Sequence, residues 1–289
     1  MGNINETNIY IVNVVLKMNK KNIILVILWV IILWLLFFLL HNNSSLTYDE
    51  YETLAMKSFL TDAEYKKISK FARKHCWYLD IELNAIESIT DKQAEILSKV
   101  CDIQLNWLTS ITDEQAKSFW KIEGELTLNW LTSITDEQAK SLSTLHTLYL
   151  NWLTSITDEQ AKFLSNVDWI YLNWLTSITD EQAKELWNND TELHLDWLNS
   201  ITKKQAEWLS NSHVLYLNWL TNITDEIAEE LSKCDVLYLN WLKSITNKQA
   251  KILSSSNVYI IYLNWLTSIT DEQIKYLRDR FGYNFHINN

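Results

Sequence analysis

Proline is absent from this chain, and glycine occurs only 3 times, at Gly2, Gly124 and Gly282. A collagen-like chain is thereby excluded, and so is a phosphate-binding loop, which needs clustered glycines to bring backbone N–H groups onto a phosphate. With only 3 cysteines, a disulfide scaffold is excluded as well. Basic residues are scarce: 25 Lys and Arg face 36 Asp and Glu, a net charge of −11. A nucleic-acid binder is not expected from that balance, because nothing is available to displace phosphate counterions. His41, His75, His146, His194, His213 and His286 show neither metal-ligand spacing nor a shared place in the repeat described below. No catalytic residue, metal or cofactor is therefore expected. Disorder is excluded by a composition of 47% hydrophobic and 21% charged residues.

Of what is present, the first feature is a long apolar run. Ile23 to Leu40 is unbroken by any polar side chain. As a helix rising about 1.5 Å per residue it spans roughly 27 Å, enough for a thin bilayer core. Lys17, Lys20 and Lys21 precede it, while Asp49, Glu50 and Glu52 follow. Basic residues favour the cytoplasmic side, so the expectation is a cytoplasmic tail over 1–22 and a transmembrane helix over 23–40. Everything after residue 40 is then extracytoplasmic. Cleavage as a signal peptide, giving a secreted protein, is the alternative. The length of the run and its end in Phe37, Phe38, Leu39 and Leu40 favour the anchor. Beyond residue 40 the chain holds 22 basic and 35 acidic residues, a net −13, which disfavours contact with anionic lipid.

The second feature is repetition. LNWLTSITDEQAK occurs unchanged at 105–117, 128–140, 150–162 and 172–184, and looser copies extend both ways. The Ile of Ile-Thr recurs at 89, 111, 134, 156, 178, 201, 223, 245 and 269, at spacings of 22 to 24 residues. Such a period means a solenoid in which each unit buries its apolar face against its neighbours. Leu148-Tyr149-Leu150-Asn151 alternates as a short strand should, leucines inward. Thr157-Asp-Glu-Gln160 has capping-box spacing, and Asp158 and Glu159 sit at the positive end of the helix dipole. Ala161 and Leu164 then face inward from a short helix. Along the helices the Asp-Glu and Lys residues read as a solvated convex face.

The pattern LxxLxLxxLxxITDEQAxxL resembles the leucine-rich repeat. It is closest to the cysteine-containing variety, in which ITD opens the convex helix, and is similar to bacterial repeats of the LTSLTDEQA type. Leu153 and its equivalents stand where that variety has Cys, and the period here is shorter. The resemblance covers 80–278. It implies an α/β fold, a right-handed solenoid of nine copies with short parallel strands and short convex helices, preceded by the one transmembrane helix. A linker and helical N-terminal cap fall in 41–79, and a C-terminal cap or tail in 279–289, with Gly282 at the last helix exit. Cys101 and Cys234 lie six coils apart and cannot pair. Cys76 and Cys101 can be neighbours at the cap, with a disulfide between them or two small buried thiols as the alternatives.

Three rows follow from the repeat. Trp107, Trp130, Trp152, Trp174, Trp197, Trp219, Trp241 and Trp265 make the first. Asn84, Asn106, Asn129, Asn151, Asn173, Asn218, Asn240 and Asn264 make the second, with Asp196 filling the remaining step. Tyr149, Tyr171, Tyr216, Tyr238 and Tyr262 make the third, interrupted by Gln104, Thr127 and His194. The Tyr and Asn positions point away from the core, whereas the Trp follows the strand and its direction stays open between stacking and exposure. As a binding surface, the Trp and Tyr rows are candidate contacts for a protein partner. A glycan stacked on the rings is the alternative, and a purely architectural spacer is a third reading.

Overall fold

The computed structural model describes residues 46–75, 80–187, 192–255 and 257–287. The expected tail and transmembrane helix, 1–22 and 23–40, lie outside them, as does Cys76. Among the described residues no helix is long and apolar enough to cross a membrane.

Two helices, α1 (Tyr48–Ala55) and α2 (Asp62–His75), precede the sheet. The start of α2 is a capping box: the Thr61 hydroxyl accepts the Glu64 N–H at 3.4 Å, and the Glu64 carboxylate accepts the Thr61 N–H at 2.8 Å. Asp62 and Glu64 in its first turn and Arg73, Lys74 and His75 in its last complement the helix dipole. Its buried face is Tyr65, Ile68, Phe71 and Ala72, at helical spacing. Asp62 accepts from Gln93 Nε2 at 3.1 Å and pairs with Lys92 at 2.6 Å, which ties this cap to the first coil.

A ten-stranded parallel sheet follows, its strands in chain order. They are β1 (Ile81–Glu82), β2 (Ile103–Gln104), β3 (Glu125–Thr127), β4 (Thr147–Tyr149) and β5 (Trp169–Tyr171). The others are β6 (Glu192–His194), β7 (Val214–Tyr216), β8 (Val236–Tyr238), β9 (Ile260–Tyr262) and β10 (Phe285–His286). Leu126, Leu148, Ile170, Leu193, Leu215, Leu237 and Ile261 pair in register and are wholly buried. Each of β1 to β9 leads through a turn to one short helix, from α3 (Asp91–Leu97) to α11 (Asp271–Phe281). The expected inward set of one coil, Leu145, Leu148, Leu150, Leu153, Ile156, Ala161 and Leu164, is buried throughout.

The TDEQ motif builds the stack as well as capping the helix. In α6 (Asp158–Leu164) the Thr157 hydroxyl accepts the Gln160 N–H at 3.0 Å, and Gln160 Oε1 accepts the Thr157 N–H at 2.9 Å. Gln160 Nε2 then donates to the Ile134 carbonyl of the preceding coil at 2.8 Å. Thr157 Oγ1 donates to Asp136 Oδ1, also one coil back, at 2.9 Å. So Asp is more than a dipole partner on a solvated face; it holds the threonine of the next coil. Lys203 and Asn247 stand in that Asp position, and Thr224 and Thr270 accordingly lack the bond that Thr112, Thr135, Thr157, Thr179, Thr202 and Thr246 make.

Two glycines are required by geometry. A Cβ on Gly124 would lie 2.0 Å from Asp102 Oδ1, the oxygen that accepts the Glu125 N–H at 2.7 Å. Gly282 has φ of 54° and ends α11 with its N–H on the Arg278 carbonyl. The segment 279–289 then does more than trail off: β10 pairs with β9, Phe285 against Ile261 and His286 against Tyr262. Cys101 is disulfide-bonded, so it is not one of two buried free thiols. Cys234 is free and buried, and that burial pushes its thiol well up from the usual range.

Candidate functional site

Strands in a sheet sit about 4.8 Å apart, whereas packed helices need roughly 8–10 Å. A coil with one of each must therefore bend, strands on the inside. The Tyr row records the bend. Its ring centroids are 3.7–4.2 Å apart, closer than the strands that carry them, as expected of side chains converging on a concave face.

The Trp row lies where strand becomes turn. The Asn-Trp step keeps the backbone ladder going past the strand: the Trp152 N–H donates to the Asn129 carbonyl and the Trp174 N–H to the Asn151 carbonyl, each at 3.0 Å. Register is thus locked up to the ring, and the eight indoles stack with centroids 4.7–5.2 Å apart and planes within 10–25°. Both readings of the row are partly met. Ring faces are packed on one another, while Trp107, Trp219, Trp241 and Trp265 are 38–58% exposed and Trp130, Trp152, Trp174 and Trp197 are half-buried.

Beside it the Asn row forms a chain of amide bonds. Asn106 Nδ2 donates to Asn84 Oδ1 at 2.9 Å, Asn151 to Asn129 at 2.8 Å, Asn240 to Asn218 at 2.8 Å and Asn264 to Asn240 at 2.8 Å. Asp196 accepts from Asn218 Nδ2 at 2.6 Å, and its burial pushes its carboxyl up from the ordinary value. The side-chain run breaks at the 23-residue step from Asn106 to Asn129, where Asn106 Oδ1 is buried without a partner, and at Asn173 and Asp196 only the backbone N–H reaches the preceding Oδ1, at 3.3 and 3.4 Å. Between the two rows runs an open groove of about 760 Å³, lined by all eight tryptophans.

The third row is longer than the tyrosines alone. His194 stacks on Tyr171 at 3.9 Å and on Tyr216 at 3.7 Å, and His286 stacks on Tyr262 at 4.2 Å. His194 therefore continues the row it was expected to interrupt. Nor do the histidines lack shared positions: His194 and His286 occupy one, and His146 and His213 another. The latter two place Nδ1 on the next coil's Asp168 and Asp235 at 2.7 and 2.8 Å. Their sequence separations are whole numbers of coils only when the 22-, 23- and 24-residue steps are added individually, so a fixed period hides them. Glu192 lies 2.9 Å from His194 Nε2, and that hydrogen bond holds its carboxyl below the usual range against burial. Tyr149, Tyr171 and Tyr216 are all raised, by burial first. In the C-terminal half Val214, Val236 and Ile260 stand half-buried, two residues before their tyrosines. Among the described residues no cluster of three or more His, Cys, Asp or Glu could hold a metal ion.

No protein family matches the chain by sequence, and no curated protein does. Solved structures do. An internalin of Listeria monocytogenes is similar over 77% of this chain and 74% of its own, at 13% identity and a TM-score of 0.42. A leucine-rich-repeat protein of Leptospira interrogans is similar over 81% of each chain, at 15% identity and a TM-score of 0.38.

Proposed function

We propose that this chain is a non-enzymatic, leucine-rich-repeat-like interaction module that binds a protein partner along the groove between its Asn and Trp rows. Segment 23–40 anchors it in a membrane, with the N-terminus cytoplasmic and the solenoid outside. The observation that carries the reading is the continuous groove lined by eight stacked indoles, a side chain that combines an apolar ring with an N–H donor. Tryptophan and tyrosine at this density favour a polypeptide contact. The glycan alternative is weaker on geometry. Sugar rings stack on aromatic faces, and here each inner indole has both faces against its neighbours at 4.7–5.2 Å.

Site-specific photo-crosslinking on cells that express the chain tests this. A crosslinker at Trp174, in the groove, is expected to give discrete polypeptide adducts, and one at Lys162, on the exposed helix side, none. Equal patterns from both sites would sink the reading. Glycan binding abolished by Trp152→Ala and Trp174→Ala together would install the sugar alternative, and full function after deletion of residues 151–172 would install the spacer.

A further inference from the structure

The Trp row has a first member, and the coil before it has Ala85 in the Trp position. Trp107 packs one face on Trp130 at 5.1 Å, and among the described residues no ring covers its other face. That face opens into a cavity of about 820 Å³ between α1 and the first coil. Tyr51 fixes the wall: it is buried, its ring stacks on Phe71 at 5.5 Å, and its hydroxyl accepts the Glu82 N–H at 2.8 Å. Tyr48, 53% exposed, adds a second accessible ring, and the cavity shares Asn84 and Trp107 with the groove, which therefore runs into it.

The charge around this cavity is one-sided. Glu52, Asp80, Glu82 and Glu87 line it, no lysine or arginine does, and none of the four carboxylates belongs to an ion pair among the described residues. On the helix side of the solenoid some carboxylates are paired, as in Lys117–Glu114, Lys184–Glu181 and Lys248–Asp225, and others such as Glu137 and Glu159 stand in open solvent; what sets this group apart is that it lines a cavity beside an open ring. An open indole face beside unpaired carboxylates suits an organic cation: the ring quadrupole attracts it and the carboxylates take its N–H donors.

We propose that this cavity receives a basic side chain, arginine before lysine, of the polypeptide that lies in the groove. The assignment rests on the groove reading and deepens it, giving the partner a charge and an orientation with its cationic residue at the cap end. A planar guanidinium stacks on Trp107 while its fork meets a carboxylate such as Glu82 or Glu87; an ammonium does only the second.

The test uses the full-length chain in a non-ionic detergent, with the Trp107 indole N–H resonance as readout. N-acetyl-arginine methylamide is the probe, with the lysine and norleucine analogues for comparison. Arginine is expected to shift the resonance at millimolar concentration and to bind at least about tenfold more tightly than norleucine. Trp107→Leu should weaken arginine binding about fivefold or more, followed by its amide resonances. Ala85→Trp adds one ring to the row and fills the site, so it should abolish binding while Tm stays unchanged or rises. Equal binding of norleucine, or undiminished arginine binding in Ala85→Trp, would overturn the assignment. So would displacement of arginine by calcium chloride at equal concentration, which would give the carboxylates to a metal ion. Crosslinking from Trp174, three coils away, reports on the groove separately: adducts there without arginine binding here would refute this assignment alone.

Discussion

Replacing Gln160 by leucine separates the two jobs of the repeated motif. The side chain is buried, with Oε1 on the Thr157 N–H at 2.9 Å and Nε2 on the Ile134 carbonyl of the preceding coil at 2.8 Å. Gln160→Leu keeps the volume and strands both groups. At about 1–3 kcal/mol for each stranded group, the loss is roughly 2–6 kcal/mol. Asp158→Ala is the comparison, since it removes only an exposed bond from Thr179 Oγ1 at 3.2 Å and one charge at the helix start. That should cost roughly 0.5–1 kcal/mol. Gln160→Glu adds a pH signature. Ionised, it sets a buried negative oxygen against the Ile134 carbonyl, so its folded pKa lies above the unfolded value of about 4.3. Protonated, it donates to that carbonyl as Gln does. The variant should therefore approach the wild type below about pH 4 and fall away as pH rises through the folded pKa. Urea unfolding by far-UV circular dichroism at pH 4 and 7, with wild type subtracted at each pH, measures all three. If Gln160→Leu costs no more than Asp158→Ala, or Gln160→Glu shows no pH dependence, the coil-to-coil role of the glutamine is wrong.

The rows give further expectations. Asp196→Asn restores the amide chain; because burial raises the Asp196 carboxyl, its contribution is complete below about pH 3.9 and is lost as pH rises. The variant should thus gain about 1 kcal/mol at pH 7 and less towards pH 4, read as thermal midpoints, and equal gains at both would contradict it. Trp174→Ala breaks two stacks, each at 4.7 Å, and Trp265→Ala one at 5.2 Å. The first should cost more by about 0.5–1.5 kcal/mol and remove more of the stacked-indole exciton band; parity would mean that stacking contributes nothing. Native protein should leave Cys234 unalkylated, denaturation should expose it, and Cys101 should take label only after reduction; prompt native labelling of Cys234 would deny its burial.

Much of the fold was legible because it is periodic. Leucines at two-residue alternation, then Thr-Asp-Glu-Gln at cap spacing, determine strand, turn and helix within a single coil, and the alternation alone places Leu148 and Leu150 inward. What could not be read was how one coil meets the next. Gln160 looked like a local cap and Asp136 like a dipole partner, yet each reaches across a coil, and nothing in a linear spacing distinguishes those bonds. The direction of the indoles was hidden for a related reason. Trp lies just past the strand, where alternation ends, and only the backbone bond from its N–H to the Asn carbonyl of the coil before continues the register. His194 and His286 escaped because their chemistry differs from tyrosine, although a flat ring is all that a stacked row requires.

Repetition also changes where function should be sought. A residue copied with its unit is explained by the lattice it builds: Asn amides satisfy one another, indole faces cover one another, and threonines cap. Departures from the copy are informative because the lattice would accept the standard residue there. Trp at position 85 would extend the row by one ring, yet Ala85 stands there, beside carboxylates that belong to no ion pair among the described residues. An exposed indole face is a cost the stack avoids at every inner coil, and it recurs only at the ends of the row. At the far end, Trp265 is 58% exposed and lines the groove. At the near end the open face is enclosed by a helix that Tyr51 pins to β1. The row thus ends in a bare ring on both sides, and at the near side the cap helix builds a pocket around it, which marks one end of an otherwise uniform groove.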